Sequence, residues 1–435
     1  MKSVAFVANY QKTIFFNYVA VELARQNVGI YWIAVSKIWT DWLISKGVDE
    51  ERILYLPRST ARNGASPLCD FGLNELIYSD RTFRTEAGFG QKYLESVQKP
   101  VCDFISRNNI SFVFGEATWA HEILINRMCA TFKELRCQYL KPHTIRIPNG
   151  RFAFFKDEHE SSLYEISNKN RHGEVWDFEL KKPDYYYLNN KEVSLIPKLM
   201  DFLKKIELTF SEEKNDLEDP TQRLDKISFI GSKILEEINF FTYKFFVKKL
   251  KLNDFPDKYW VYYLHKQPEA SVDVVGRYYE DQFKNIYWLA RKMPDDCCLM
   301  VKEHTNALGD RPLSFFRKLN SINRVSLIDE SIDSYTLIDK AAKTCTVSGT
   351  VAYEAALLGK EAIIFSNPFF SSLPTIQVRN GSEVVNKFTI EEFKVNVFVS
   401  SFEGIVSDPS SDPRCIEKEN VENVSSAFLK VINDE

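Results

Sequence analysis

Several absences narrow the class of this 435-residue chain. No stretch approaches the ~20 consecutive apolar residues that a bilayer-spanning helix requires. The opening Met1-Lys2-Ser3-Val4-Ala5-Phe6-Val7 is a short apolar run that passes straight into polar residues. It lacks the hydrophobic core and cleavage site of a secretory signal, so a cytoplasmic location is expected. Eight cysteines stand at 69, 102, 129, 137, 297, 298, 345 and 415. None forms a CxxC pair or a Cys/His cluster with zinc spacing, which predicts free thiols in a reducing compartment. A net charge of −4 gives no ground to expect nucleic acid. No DxD-like pair stands at the end of a predicted strand. Asp295-Asp296 falls in a turn ahead of one. Chemistry without a metal or a bound cofactor is the expectation.

What remains is a chain with 44% hydrophobic and 27% charged residues, long enough for two full cores. The first half alternates strands and helices. Ser3–Ala8, Gly29–Val35, Ile53–Leu56 and Ile110–Phe114 read as strands, and Ile14–Gln26, Gln91–Arg107 and Trp119–Leu135 as helices. This grammar predicts a parallel sheet covered on both faces. From about 156 to 250 the pattern breaks into a polar insertion with helices, including Tyr185-Tyr186-Tyr187 and a long helix over Leu224–Leu250. The aromatic and basic run from Phe240 to Lys251 fits either an interfacial helix on anionic lipid or a core-facing stripe with a solvated edge. After the turn cluster Asn253-Asp254-Phe255-Pro256-Asp257 a second α/β series begins. The expected architecture is α/β, of the GT-B type: two Rossmann-like domains facing a cleft, with a helical insertion. Residues 1–252 form an N-terminal, acceptor-side domain that includes the insertion. Residues 253–415 form a nucleotide-binding domain. Residues 416–435 supply a C-terminal helix that packs back on the first domain.

Three strands of the second half end in charged or glycine-containing turns. Trp260–Leu264 runs into His265-Lys266-Gln267-Pro268-Glu269-Ala270-Ser271, Leu299–Val301 into Lys302-Glu303-His304, and Cys345–Val347 into Ser348-Gly349-Thr350. Ligands of parallel sheets lie beyond the carboxyl ends of the strands, so these turns point to one crevice. Gly349 permits close approach of a phosphate at a helix start, and Ser348 and Thr350 add hydroxyl donors. Glu354 lies one turn on, where a carboxylate can accept from ribose hydroxyls. An ordinary helix cap with a solvated Glu354 is the plainer reading of that turn alone. Lys302 and His304 can neutralise a phosphate leaving group. Glu269 and His265 are candidates for groups beside a reacting carbon, against a plain polar loop. In the first half, Gly115-Glu116 also ends a strand, where Glu116 is a candidate base for a sugar hydroxyl. Arg146 and Arg151 read equally as anion-binding groups or as salt-bridge partners.

These residues resemble a known family. From Tyr259 to Phe369, the runs His265-Lys266-Gln267-Pro268-Glu269-Ala270-Ser271, Tyr278-Tyr279-Glu280-Asp281-Gln282, Val301-Lys302-Glu303-His304, Ser348-Gly349-Thr350 and Glu354-Ala355-Ala356-Leu357-Leu358-Gly359-Lys360 are similar to bacterial capsule polysaccharide biosynthesis proteins of the KpsS/LipB and KpsC/LipA type, and to their Kdo-transferase relatives in lipopolysaccharide assembly. Ser79-Asp80-Arg81, Gly115-Glu116 and Arg146-Ile147-Pro148-Asn149-Gly150-Arg151-Phe152 extend the resemblance into the first half.

The resemblance implies a GT-B glycosyltransferase with a CMP-activated Kdo donor. Lys302 and His304 then match nucleotide-phosphate contacts, Ser348, Gly349 and Thr350 the phosphate loop, and Glu354 the nucleoside contact. Gln267 joins the donor-binding set, and Glu269 stands near the anomeric carbon. The implied partners are a nucleotide sugar and a glycan or glycolipid acceptor, with room for peripheral contact at the inner face of the cytoplasmic membrane or with a polysaccharide assembly complex. The alternatives are a UDP-sugar or CDP-glycerol dependent transferase, a UDP-sugar epimerase on the same fold, or a non-catalytic capsule-assembly partner.

Overall fold

A computed structural model describes residues 2–63, 66–166, 216–223, 226–379 and 386–434. Most of the predicted insertion, with Tyr185-Tyr186-Tyr187, lies outside the described residues, as do Leu224 and Asp225. The chain is α/β and packs as two compact units, each built on a largely parallel, Rossmann-like sheet. The first comprises Met1–Glu158, Ser162–Lys226 and Val395–Glu435, and the second His159–Ser161 and Ile227–Lys394.

In the first unit, β1 (Ser3–Val7), β2 (Gly29–Ala34), β3 (Ile53–Tyr55), β4 (Ile110–Phe114), β5 (Gln138–Thr144) and β6 (Arg151–Phe155) join a late strand, Ser401–Glu403. That late strand, the thirteenth in chain order, pairs antiparallel with β6, and β6 pairs antiparallel with β5; the remaining pairs are parallel. Every residue of β1 is buried, as expected of a central strand covered on both faces. The helix Lys12–Arg25 lays Phe15, Phe16, Val19, Ala20 and Leu23 on this sheet. The helix Lys418–Ile432 adds Val424, Phe428, Val431 and Ile432 to the same core. The Phe428 ring lies 4.6 Å from Phe114 and 4.9 Å from Phe154. Burying one such side chain is worth about 2–3 kcal/mol, so the last helix is held by its own apolar face.

The second unit carries β7 (Tyr259–Tyr263), β8 (Cys298–Lys302), β9 (Val325–Ile328), β10 (Lys343–Thr346), β11 (Ala362–Ile364) and β12 (Ile376–Val378). They lie in the order β12-β11-β10-β7-β8-β9, all parallel. The helix Lys226–Phe246 packs here: Tyr243, and Val247 just past its end, join the core of this second unit. The expected domain of residues 1–252 therefore divides at this helix: from Ile227 to Lys394 the chain belongs to the second unit. Tyr243 packs on Phe316, with 5.0 Å between ring centroids, and bonds Glu330, partners that hydrophobic periodicity alone does not identify.

Each sheet reverses its direction of winding once. In the first the chain adds β2 and β3 on one side of β1, then β4 on the other. In the second it adds β8 and β9 beside β7, then β10 on the opposite flank. The crevice of an open α/β sheet opens at that reversal, beyond the carboxyl ends of the strands. The two positions are therefore the ends of β1 and β4, and the ends of β7 and β10.

Candidate functional site

Register sets the level of the second-unit cluster. Tyr262 pairs with Val301 on one side and with Cys345 on the other. His265, His304 and Ser348 each lie three positions beyond that row, so the three turns leave the sheet side by side.

Two hydrogen-bond chains meet at His265. Its Nε2 lies 2.7 Å from the Thr346 hydroxyl and accepts the Ser348 N–H at 3.5 Å. The Ser348 hydroxyl donates to the Ser271 carbonyl at 2.6 Å, and the Ser271 hydroxyl donates to Glu269 Oε2 at 2.7 Å. On the other side, Arg311 donates to the His265 carbonyl and to Glu303 Oε1, the latter at 2.6 Å. Glu303 Oε1 in turn accepts the His304 N–H at 2.8 Å. Gln282 clamps the His265 backbone, accepting its N–H at 2.7 Å and donating to its carbonyl at 3.1 Å. Gln282 also donates to Gln267 Oε1 at 2.7 Å. The structure thus brings together His265, Gln267, Glu269, His304, Ser348 and Gly349, with Thr350 opening the helix Thr350–Leu357 and Glu354 one turn further.

The electrostatics divide this set. His265 is buried, and burial, with His304 and Arg311 nearby, pushes its pKa down to about 3. A ring held neutral beneath the surface positions Ser348 and Thr346; it does not lie open beside a reacting carbon, as the sequence reading had it. His304 is less buried. Its pKa is lowered, mainly by burial and then by Lys266, Arg311 and Lys302, while Glu269 pulls the other way. Its Nδ1 accepts the Asn306 N–H at 3.1 Å, which in the neutral ring leaves the proton on Nε2. His304 is therefore set to donate outward from Nε2. Glu303 is 1% exposed and its pKa is pushed up to about 7 by burial, against the pull of Arg311.

Lys302 departs from the expected role. Its ammonium donates to the Ile332 carbonyl and, at 3.4 Å, to the Ser334 hydroxyl, which ties β8 to the turn after β9. Lys266, half-buried, makes no hydrogen bond or ion pair among the described residues and is close enough to depress the His304 pKa. It is the cation this crevice offers to an anion. Gly349 has a steric reason to be glycine: a Cβ there would lie 2.7 Å from Thr346 Oγ1 and 3.3 Å from His265 Cε1. Since the Ser348 hydroxyl is committed to a carbonyl, the turn presents the unpaired N–H groups of a helix start and the Thr350 side chain.

In the first unit, Glu116 follows β4 and lies with Oε1 3.2 Å from the buried Lys12 ammonium. Behind it Glu122 is fully buried. It accepts from Thr118 N–H at 2.8 Å, Trp119 N–H at 3.3 Å, Glu116 N–H at 3.4 Å and Asn9 Nδ2 at 3.4 Å. Burial, and then the charge of Glu116, push its pKa up to about 7. A small recess of Asn9, Tyr10, Ser36, Trp39, Trp119, His121, Asp219 and Thr221 opens at the same reversal point. Asp80 is buried and structural, accepting from the Thr82, Phe83 and Ala120 N–H groups. Arg151 fastens the last strand of the sheet, donating to the Ser401 hydroxyl at 3.0 Å and its carbonyl at 2.9 Å, beneath the Phe398 ring. That is the salt-bridge-partner reading of Arg151 in a hydrogen-bonded form, and Glu403 completes it at 3.5 Å. Arg146 stands at φ 67° in the turn between β5 and β6, with its N–H on Thr144 Oγ1 at 3.1 Å.

Thr346, Gln282, Arg311, Lys266, Glu122 and Lys12 were not among the candidate site residues. Arg311 comes from a loop distant in sequence, so spacing alone carries no signal for it. Lys266 and Gln282 each lie inside a motif of the family resemblance, without a role assigned to them there. Among the described residues no group of three or more His, Cys, Asp or Glu side chains is placed to hold a metal, and no helix is long and apolar enough to cross a membrane.

No protein-family model and no curated protein matches the chain. Among solved structures it is similar to the KpsC β-Kdo 2,7 transferase of Thermosulfurimonas dismutans, at 12% identity and TM-score 0.39 over 77% of this chain and 89% of that one. It is similar also to the KpsC β-Kdo 2,4 transferase of the same organism, at 14% identity and TM-score 0.37 over 74% and 88%. A third similar structure is the UDP-GlcNAc 2-epimerase of Neisseria meningitidis bound to UDP-GlcNAc, at 14% identity and TM-score 0.26, covering 100% of both chains.

Proposed function

We propose that the chain is a glycosyltransferase of surface-polysaccharide or glycolipid assembly. It moves a sugar, Kdo or a related ulosonic acid, from a CMP donor to a hydroxyl of a glycan or glycolipid. The second unit binds the nucleotide. The helix start at Gly349 and Thr350 receives the phosphate, Lys266 neutralises it, and Glu354 accepts from the ribose. As the bond between the anomeric carbon and the phosphate oxygen breaks, His304 donates its Nε2 proton to the departing oxygen or stabilises it by hydrogen bonding. Glu269 faces the positive charge that develops at the anomeric carbon. Glu116 takes the proton of the acceptor hydroxyl as the new glycosidic bond forms. Arg146, in the turn between β5 and β6, is the candidate for an anionic group of the donor or the acceptor.

One observation carries this reading: His304, Glu269, Ser348 and the helix start at Gly349 are linked in one hydrogen-bonded and electrostatic cluster at the reversal point of the second sheet. The test is ligand-induced stabilisation followed by turnover. CMP at about 100 times its Kd adds about 2.7 kcal/mol to stability. CMP should raise the Tm more than UDP does, and labelled CMP-Kdo should transfer its sugar to a glycan acceptor. Turnover of UDP-GlcNAc without acceptor would replace the proposal by an epimerase, and stabilisation by no nucleotide at all would replace it by a non-catalytic assembly role.

A further inference from the structure

The helix Lys226–Phe246 is inside out on one face. Its inward side is fixed: Phe240 and Tyr243 are buried, and Gly309 approaches so closely that a Cβ there would lie 2.4 Å from the Glu236 carbonyl oxygen. The Tyr243 hydroxyl donates to Glu330 at 2.9 Å, as does Lys249, also at 2.9 Å, and Lys244 pairs with the same carboxylate. The outward side is apolar. Ile234, Leu235, Ile238, Phe241, Phe245 and Phe246 stand 43–74% exposed. They account for six of the seventeen large hydrophobic side chains exposed on the described surface, and their spacing keeps them in one stripe. At 1.5 Å per residue the stripe runs for roughly 18 Å. A continuous exposed stripe of this kind marks a surface that is covered in use.

Charge identifies the cover. From Lys244 to Lys251 the chain places four lysines and no acidic residue, at the end of the stripe where Phe245 and Phe246 project. Glu330 pairs with Lys244 and Lys249. Lys248 and Lys251 are exposed and make no ion pair among the described residues. The chain as a whole carries a net charge of −4, so this positive end stands against the general balance. Apolar side chains that can sink to the acyl boundary, flanked by lysines long enough to keep their charge at the headgroups, suit an anionic bilayer surface. We propose that the outward face of the helix Lys226–Phe246 docks the protein on an anionic lipid surface, with Phe241, Phe245 and Phe246 inserted and Lys248 and Lys251 at the phosphates. The proposal goes beyond the transfer chemistry and does not depend on it.

The test is co-sedimentation of the full chain with vesicles of phosphatidylcholine alone and of an equal mixture with phosphatidylglycerol. The protein should partition onto the mixed vesicles and release as salt is raised. Phe245→Ser/Phe246→Ser should weaken that partitioning at least about tenfold, with Tm unchanged because both side chains are exposed. Lys248→Glu/Lys251→Glu should weaken binding to the mixed vesicles about tenfold or more by an independent, purely electrostatic route. The proposal fails if the wild type stays in the supernatant with both vesicle types. It fails equally if neither double variant reduces binding. A solution dimer that Phe245→Ser/Phe246→Ser dissociates would also overturn it, by assigning the stripe to a second copy of the chain.

Discussion

The two strand-end clusters solve the same problem with different chemistry. Each unit buries one histidine whose pKa is pushed down to about 3, and one glutamate whose pKa is pushed up to about 7. In the first unit the glutamate, Glu122, is satisfied by neutral donors: three backbone N–H groups, the Thr118 hydroxyl and the Asn9 amide. The histidine beside it, His121, has no partner for either ring nitrogen among the described residues. In the second unit the roles are exchanged. His265 is bonded to Thr346 and Ser348, while Glu303 has a charged partner, Arg311, on one oxygen and, among the described residues, no partner on the other. A cluster held by backbone amides is tied to the local turn. One held by a guanidinium ties the ends of β7 and β8 together through a single side chain, and so stakes more on that side chain.

The comparison can be broken first at the two units' proposed chemical roles. Glu116→Gln should lower transfer by about 10³-fold or more while CMP binding stays intact, because the carboxylate belongs to the first unit. Loss of CMP binding in that variant would show that the division of labour is wrong. His304→Ala should lower kcat by about 10²–10³-fold in a folded protein, through loss of the Nε2 donor. A wild-type rate there would contradict the leaving-group role.

Stability sharpens the comparison further. Arg311→Met leaves Glu303 buried without its cation and removes a donor from the His265 carbonyl. The expected cost is about 3 kcal/mol in chemical denaturation, with part recovered by adding Glu303→Gln, since the two act as one unit. Asn9→Ala in the first unit should cost only about 1 kcal/mol, because Glu122 keeps its backbone donors. Equal costs would mean that the charged partner confers no extra dependence.

How much of this was legible in the sequence follows from the range of the interactions. Ser3–Val7, Ile110–Phe114, Val325–Ile328 and the three turns after β7, β8 and β10 are local patterns, and they read correctly as elements. β5 did not, because Lys141, Pro142 and His143 interrupt its apolar run, and β6 went unread although Phe152, Ala153, Phe154 and Phe155 are apolar, because the run is short and abuts the polar turn 146–151. The Ser401–Glu403 strand was unreadable for another reason: three residues carry no periodicity, and its existence depends on β6 and on Arg151, 250 positions away. Within the site, the residues that touch a ligand's expected position lie on the motifs. Of the residues that hold them, Gln282 and Thr346 lie on or beside those motifs with no signal for a holding role, and Arg311 reaches in from elsewhere. Lys302 shows the reverse case, a motif lysine whose partner at Ile332 and Ser334 draws it away.

The smallest expected effect is the most discriminating, because one substitution should have opposite signs in the two units. His265→Leu deprives the buried Thr346 hydroxyl and the Ser348 N–H of their acceptor, and should destabilise by about 1–3 kcal/mol. His121→Leu removes two ring nitrogens that lack partners among the described residues, and should leave stability unchanged or raise it by up to about 1 kcal/mol. The pH dependence separates this from a simple packing effect. A histidine whose folded pKa is about 3 stays neutral in the native state, whereas in the unfolded chain it takes up a proton near 6.5. Stability therefore falls as pH drops from 6.5 toward 3, by up to about 1.4 kcal/mol per pH unit for each such histidine. Glu122 and Glu303 act in the other direction: their folded pKa values near 7 give stability that is present below 4.5 and lost as pH rises from there toward 7. His121→Leu should make the unfolding midpoint less sensitive to acid between pH 6.5 and 4.5, with the carboxylate contribution untouched. If the variant and the wild type lose stability in parallel over that range, His121 is protonated in the folded protein and has a partner that its surroundings conceal.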